Sequence, residues 1–377
     1  YAYFKIKEYE NAIPYFNTYI AQSKEDRNRL TDAYLRMADC NYISSKYWPA
    51  MDAYNKAIEL KCVDADYAAF QKGMSYGFVN KNDKKIEDLT KFVSTYKTSQ
   101  YLDDALYELG NTYTAEEMND KAISTFDNLI NNNKNSAYVA KSILKQGLIY
   151  YNTDKDDAAI TKFKKVVAEF PNSPESLEAV ATAKSIYKAN GKVGEYAAWV
   201  KTLSFVEVTD AELDNDMYES AEKQYLNNSP KKAIEGFTSY LAQFPNGLHA
   251  LKVHFYLAQL YFADKLEKNA IPHYDYVIAQ ARNEFTEQAL VRLSEIHLKD
   301  KNCELAISVL KQVETIAEFP QNTTFAQANL MKCYYEKQDF VNSEIYADKV
   351  LKNPKMDDKI KSDAQIIVAR SAIKAND

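Results

Sequence analysis

One short register recurs along the chain: a small residue, an apolar residue directly after it, and an aromatic or large apolar residue four positions after the first. It reads Ala12, Ile13 and Phe16, then Ala50, Met51 and Tyr54, then Ala122, Ile123 and Phe126. It continues at Ala159, Ile160 and Phe163, at Ala233, Ile234 and Phe237, at Ala270, Ile271 and Tyr274, and at Ala306, Ile307 and Leu310. Neighbouring copies lie 36 to 38 residues apart, as in Ala270 to Ala306, Ala122 to Ala159 and Ala12 to Ala50. Weaker copies at Lys85, Ile86 and Leu89, at Glu195, Tyr196 and Trp199, and from Ser343 to Ala347 bring the number to ten. A period of this length marks a repeat array, in which one unit cannot bury its apolar face alone and neighbours must stack to form a core.

Nine residues before the small residue the register usually holds Tyr, with a further small residue three positions before that. Gly73 and Tyr76, Gly110 and Tyr113, Gly147 and Tyr150, and Ala258 and Tyr261 are examples. Apolar spacings of three and four place one stripe on each of two amphipathic helices per unit. The small residues let the two backbones approach where the helices cross. With eight Gly and nine Pro in 377 residues, the composition suits long helices joined by brief turns. Thirty Tyr and 17 Phe supply rings for the helix interfaces or for a groove.

Turn chemistry follows the same register. Asn11, Asn119 with Asp120, and Asp156 with Asp157 stand where a side-chain oxygen caps a second helix, and Pro14 and Pro272 are expected in its first turn. Phe170-Pro171-Asn172, Phe244-Pro245-Asn246 and Phe319-Pro320 are expected to end second helices. The pattern weakens between Gly191 and Asn228, where Phe205 to Val208 reads as extended and Thr209 or Asp210 as the next cap. The expectation is two stacked halves, 1–203 and 204–377, or one continuous array. Tyr1 to Lys7 reads as the tail of a first helix and Lys361 to Asn376 as a first helix without its partner. The natural protein is therefore expected to be longer.

Leu109, Gly110, Tyr113, Ala122 and Phe126 resemble, almost position by position, the 34-residue unit of the tetratricopeptide repeat (TPR) family. The resemblance runs over nearly the whole chain, with about three extra residues per unit. It implies an all-α fold, a right-handed α-solenoid of about ten TPR-like helix hairpins. The stretch from Ala233 to Phe262 is similar to repeats of bacterial cell-envelope proteins, as found in the outer-membrane-protein assembly lipoprotein and the periplasmic cell-division coordinator. Ala159 to Pro174 has the same character. That subtype implies a site in the periplasm or on the periplasmic face of the outer membrane, with the cytoplasm as the alternative.

Several function classes are disfavoured. The four His, at 249, 254, 273 and 297, form no metal-ligand spacing, and no P-loop, GxGxxG or GxSxG is present, so neither catalytic residues, nor a metal, nor a cofactor is expected. His297 holds a Tyr slot and is expected to pack. Net charge is −6, from 47 basic and 53 acidic residues that are interleaved, which disfavours nucleic acid. No apolar run is long enough to span a bilayer, so a membrane tether would lie outside this stretch. Cys40, Cys62, Cys303 and Cys333 fall in no CxxC pattern, and Cys40 and Cys333 read as small buried hydrophobes.

Binding of other proteins or peptides is what the resemblance implies, with first helices lining a concave face. The corresponding positions lie six and two residues before the recurring Tyr and one or two after it. They are Phe70, Met74, Gly77 and Phe78, then Tyr107, Asn111 and Thr114, then Leu148 and Tyr151, then Phe255, Gln259 and Phe262, then Lys332 and Tyr335. Asp39, Met74, Asn111, Leu148 and Gln259 form a column without the Lys and Asn cluster that would grip a C-terminal carboxylate. The expected function is a non-catalytic scaffold in an envelope assembly. The alternatives are a regulatory arm of a larger enzyme, or a glycan-contacting module using Tyr faces. If the register is right, Phe237→Ala costs about 3–5 kcal/mol as a large-to-small core change. Tyr335→Ala should cost little, and urea unfolding of the two variants measures the difference.

Overall fold

The computed structural model describes residues 1–22 and 26–375. Twenty-one helices and no strand occur among the described residues. The chain divides into two compact units, Tyr1–Ile186 and Tyr187–Asp377. Unit 1 contains the hairpins α1 (Ala2–Lys5) with α2 (Tyr9–Gln22), α3 (Arg27–Ile43) with α4 (Tyr47–Glu59), and α5 (Ala65–Phe78) with α6 (Asn82–Thr95). It continues with α7 (Leu102–Ala115) and α8 (Asn119–Asn132), α9 (Val139–Asn152) and α10 (Asp156–Glu169), and most of α11 (Pro174–Ala189).

Unit 2 takes the end of α11 and α12 (Val193–Val200), then pairs α13 (Asp210–Leu226) with α14 (Pro230–Gln243) and α15 (Ala250–Ala263) with α16 (Glu267–Ala279). It goes on through α17 (Thr286–Lys299) and α18 (Cys303–Ile316) to α19 (Pro320–Glu336) and α20 (Phe340–Lys352), and ends on α21 (Asp358–Ala375). Each unit is a stack of hairpins in a TPR-like solenoid pattern. The expected joint at 203/204 lies inside unit 2, in the non-helical stretch between α12 and α13. There Thr209 Oγ1 accepts from the Glu212 amide at 3.2 Å and starts the next helix. The last expected helix is present as α21, and its expected final residue, Asn376, lies outside the described residues.

Each hairpin closes through the same turn. Its last residue but one stands in left-handed backbone, in order Lys7, Ser45, Asn80, Glu117, Asp154, Gly191, Asn228, Lys265, Lys301 and Gln338. The following amide donates back to the carbonyl five residues earlier, as from Met118 to Tyr113 at 2.8 Å, Lys155 to Tyr150 at 2.9 Å and Leu266 to Tyr261 at 2.8 Å. This is the Schellman closure, which satisfies carbonyls left free at a helix end. The recurring Tyr is thus the residue whose carbonyl closes the turn. Only Gly191, Asn80 and Asn228 have residue types that signal such a turn in sequence.

Three readings of turn chemistry need correction. Asn119 and Asp156 are the first residues of α8 and α10, whose cap positions are Met118 and Lys155 without a side-chain bond. Asn11 lies inside α2. The carboxylates of Asp120, Asp156 and Asp157 therefore act on the positive end of the helix rather than as caps. Pro14 and Pro272 are the sixth residues of α2 and α16, where each removes one intrahelical bond. Phe170 and Phe244 do end their helices, but Pro320 opens α19, where its missing N–H costs nothing.

The core is built on one pairing, between a first-helix residue and a second-helix residue sixteen positions later. A Cβ added to Gly110 would lie 2.5 Å from Phe126 Cε1, and one on Gly147 2.5 Å from Phe163 Cε1. Gly73 stands in the same relation to Leu89. Ala38 and Tyr54, Ala221 and Phe237, and Ala258 and Tyr274 repeat the pairing within their cores. In the last hairpin the sizes are exchanged, with Met331 against Ala347.

The same logic corrects the weak copy near residue 195. Glu195 is exposed, while Tyr196 and Val200 are 3% and 0% exposed, so the register runs one residue later than the sequence pattern indicates. Spacing then becomes 37 on both sides, from Ala159 to Tyr196 and from Tyr196 to Ala233. In this hairpin Tyr196 fills the slot that elsewhere holds a small residue, and Val200 fills the slot of the ring. Because Gly110 is filled to contact, Gly110→Ala should cost about 1–3 kcal/mol by overpacking. Adding Phe126→Leu should recover part of that loss, and a double-mutant cycle in urea measures the compensation.

Candidate protein-binding face

The expected binding positions all lie on first helices, and the structure separates them by depth. Phe70 and Phe255 are 9% and 7% exposed and belong to the core. Phe70 stacks on Tyr101 at 5.6 Å between centroids, and Phe255 stacks on Phe285 at 4.4 Å. Tyr107 is half-buried and stacks on Tyr138 at 4.5 Å. In unit 2, Tyr218 does the same with His249 at 4.0 Å. In every case the ring six residues before the register position, which holds Tyr in three hairpins and Gln224 in the fourth, is covered by a ring at the start of the next first helix. This column is spent on contact between successive hairpins, so Phe70 and Phe255 present no open surface.

Positions two before and one or two after the register Tyr remain nearer the surface. In unit 1, Met74, Asn111 and Leu148 are half-buried, as are Gly77 and Thr114. Thr114 Oγ1 donates to the Gly110 carbonyl at 2.9 Å. Phe78 and Tyr151 are 54% and 38% exposed, and Phe78 lies flat on Tyr47 at 4.7 Å. Asp39, first in the polar column, is buried. Its carboxylate accepts from Tyr54 Oη at 2.9 Å, Tyr67 Oη at 3.0 Å and Arg36 Nη1 at 2.9 Å. Burial pushes this carboxyl above its ordinary value, against the lowering by Tyr54 and Arg36. Asp39 therefore joins α3 to α4 and α5, a role its position in the sequence did not disclose.

Unit 2 has a cleft of about 460 Å³, and none of Phe255, Gln259, Phe262, Lys332 and Tyr335 lines it. Arg282, Glu287, Val291, Arg292, Glu295 and Phe319 line it, from α17 and the segments before α17 and α19. Val291 and Glu295 hold the minus-six and minus-two positions relative to His297, so applying the register to this hairpin would have found them. The Arg292 guanidinium lies 4.9 Å over the Phe262 ring and its Nη1 pairs with Glu295 at 2.8 Å. Glu287 accepts from the amides of Glu318 and Phe319 at 3.0 and 3.3 Å and from Asn322 Nδ2 at 2.7 Å. Burial acts to raise the Glu287 carboxyl, but the bonds from Asn322 and these amides outweigh it and hold it below its ordinary value. Lys332 is exposed and pairs with Asp363 at 3.4 Å, while Tyr335 is half-buried with Phe340 against its edge.

Gln259 stands apart. On α15, two residues before Tyr261, its Nε2 is buried and has no hydrogen-bond partner. A buried amide donor left unpaired costs about 1–3 kcal/mol.

Two of the four histidines meet. His254 and His273 bring their Nδ1 atoms to 2.8 Å, and His254 stacks on Tyr276 at 3.7 Å. Burial pushes both below their ordinary value, His254 to about 4, so the pair is neutral near pH 7. His297 is buried in α17, and burial lowers it as well. Among the described residues no group of three or more His, Cys, Asp or Glu is placed to hold a metal ion. No helix among them is long and apolar enough to cross a membrane.

The tetratricopeptide repeat family model matches residues 104–136 and 141–173, which cover the hairpins α7 with α8 and α9 with α10. Comparison with curated proteins gives no match. Among solved structures, that of MamA protein is 22% identical, covering 52% of this chain and 94% of its own, with a TM-score of 0.38. A tetratricopeptide repeat protein from Parabacteroides merdae is 12% identical, covering 69% and 96%, with a TM-score of 0.33. The C-terminal part of a TPR repeat-containing protein from Cytophaga hutchinsonii is 15% identical, covering 77% and 98%, with a TM-score of 0.30.

Removing the orphaned donor while keeping apolar volume, as in Gln259→Leu, should raise stability by about 1 kcal/mol. Glu287→Ala strips three donors of their acceptor and should lower it by about 1–3 kcal/mol. Urea midpoints of the two variants should therefore move in opposite directions.

Proposed function

We propose that this chain, in which tetratricopeptide repeats are present, is a non-catalytic scaffold that binds an extended peptide or a helix of another protein. TPR proteins generally act as protein-interaction scaffolds, and the first-helix face of unit 2 has the chemistry for that role. Phe262 and Val291 offer apolar area, Arg292 and Glu295 offer charge of both signs, and Gln259 offers a donor without a partner. The orphaned amide is the observation that carries the reading. A site that keeps an unpaired buried donor trades stability for recognition, and a peptide carbonyl is a suitable acceptor.

The assembly we propose is one of the bacterial cell envelope, at the periplasmic face of the outer membrane. Its support is the similarity of Ala233 to Phe262 and Ala159 to Pro174 to envelope-type repeats, with Phe-Pro-Asn at the end of α10 and of α14. The test is affinity capture from bacterial envelope extract with the wild-type chain and with Gln259→Leu combined with Arg292→Glu. The expected result is a stoichiometric protein that the wild type retains and the double variant releases, at least ten-fold by quantitative mass spectrometry. Equal capture by both, or no stoichiometric protein, would sink the reading.

A further inference from the structure

Sequence spacing gave the cysteines no joint role, yet folding brings two of them together. Cys303 is the first residue of α18 and is half-buried, while Cys333 lies near the end of α19 and is 2% exposed. Their sulfurs are 2.7 Å apart, and Cys303 Sγ also donates to Glu336 Oε2 at 3.2 Å. The two helices belong to successive hairpins, so the sulfurs meet across a contact between hairpins and not within one. We propose that Cys303 and Cys333 are an oxidation site, a thiol pair that closes to a disulfide and fastens α18 to α19.

The chemistry assigns each residue a part. A disulfide needs the sulfurs within about 2 Å of one another and Cβ atoms about 3.5–4.5 Å apart, so an adjacent pair requires only a small movement to bond. Cys303 is the more accessible sulfur, which makes it the attacking thiol. It loses its proton to solvent base, and its thiolate attacks a small-molecule disulfide, forming a mixed disulfide and releasing one small thiolate, which takes up a proton. Cys333 then attacks the Cys303 sulfur, the protein disulfide forms, and the second small thiol leaves with a proton. Two protein thiols are oxidised and one external disulfide is reduced to two thiols, so atoms and electrons balance. Burial raises both thiols above their ordinary value, with Glu336 and Cys333 adding to the effect at Cys303, so exchange at neutral pH is slow and quickens as pH rises.

The consequence lies in where the link falls. In a repeat array, stability is a sum of units and of the interfaces between them, so a covalent tie across an interface restrains opening of the array at that point. This interface also carries the cleft residues of α17 and the start of α19. A link closing a loop of thirty residues, from 303 to 333, further restricts the unfolded chain.

The experiment incubates the purified chain with glutathione disulfide at pH 8, blocks remaining thiols, and reads intact mass, peptide map and thermal midpoint. The expected result is loss of two hydrogen atoms, a peptide pair joined through 303 and 333, and a midpoint several degrees higher that dithiothreitol reverses. Cys40 and Cys62 should remain blockable after denaturation. Cys303→Ser, with the substituted residue at a half-exposed helix start, should fold and show neither the mass change nor the midpoint shift. Cys333→Ala should instead retain glutathione on Cys303 as a stable mixed disulfide. The proposal is overturned if all four thiols stay blockable, if wild-type Cys303 keeps glutathione without resolution by Cys333, or if the linked peptides contain other cysteines.

Discussion

In most hairpins a large side chain from the second helix is seated against a small residue of the first helix sixteen positions earlier, and the rest of the architecture follows from that contact. Phe126 on Gly110 and Phe163 on Gly147 leave no room for even a methyl group, which fixes the distance and rotation of the two helices. Leu89 takes the place of the ring against Gly73, and in the last hairpin the sizes are exchanged, with Met331 against Ala347. Interiors pack at near-crystalline density, so conserving the sum of two facing volumes matters more than conserving either residue.

A second contact joins one hairpin to the next. The stacks of Phe70 on Tyr101, Tyr107 on Tyr138, Tyr218 on His249 and Phe255 on Phe285 use rings at one register position to extend the core along each unit. Much of the high Tyr and Phe content is thereby accounted for by packing. What remains for recognition is narrower than the aromatic composition alone indicates. In unit 2 the surface proposed for recognition is Phe262 under Arg292, the cleft that Arg292 lines, and the unpaired amide of Gln259. Arg292 and Glu287 each contact their neighbours while lining the cleft.

Periodicity was enough to identify the hairpins, because helical spacing of small and large residues is a property of chain-local geometry. It failed in detail where two local signals competed. Near residue 195, Trp199 drew the register one position early, although Tyr196 and Val200 carry the buried slots. At the turns, Asn119 and Asp156 look like caps, yet the hairpins close through left-handed Glu117 and Asp154, residue types that carry little turn signal. Backbone hydrogen bonds to Tyr113 and Tyr150 stabilise those conformations, and such bonds exist only once the helix before them has formed.

Sequence by itself determined an all-α array of helix hairpins with a period near 37 residues, and it placed the candidate binding positions on first helices. Tertiary structure decided which of those positions are open, because burial of Phe70 and Phe255 depends on rings that arrive from the next hairpin thirty or so residues later. It also decided that Gln259 lacks a partner and that Cys303 meets Cys333. Helical periodicity is local, whereas depth, pairing and sulfur contact are set by the stacking of one repeat on another.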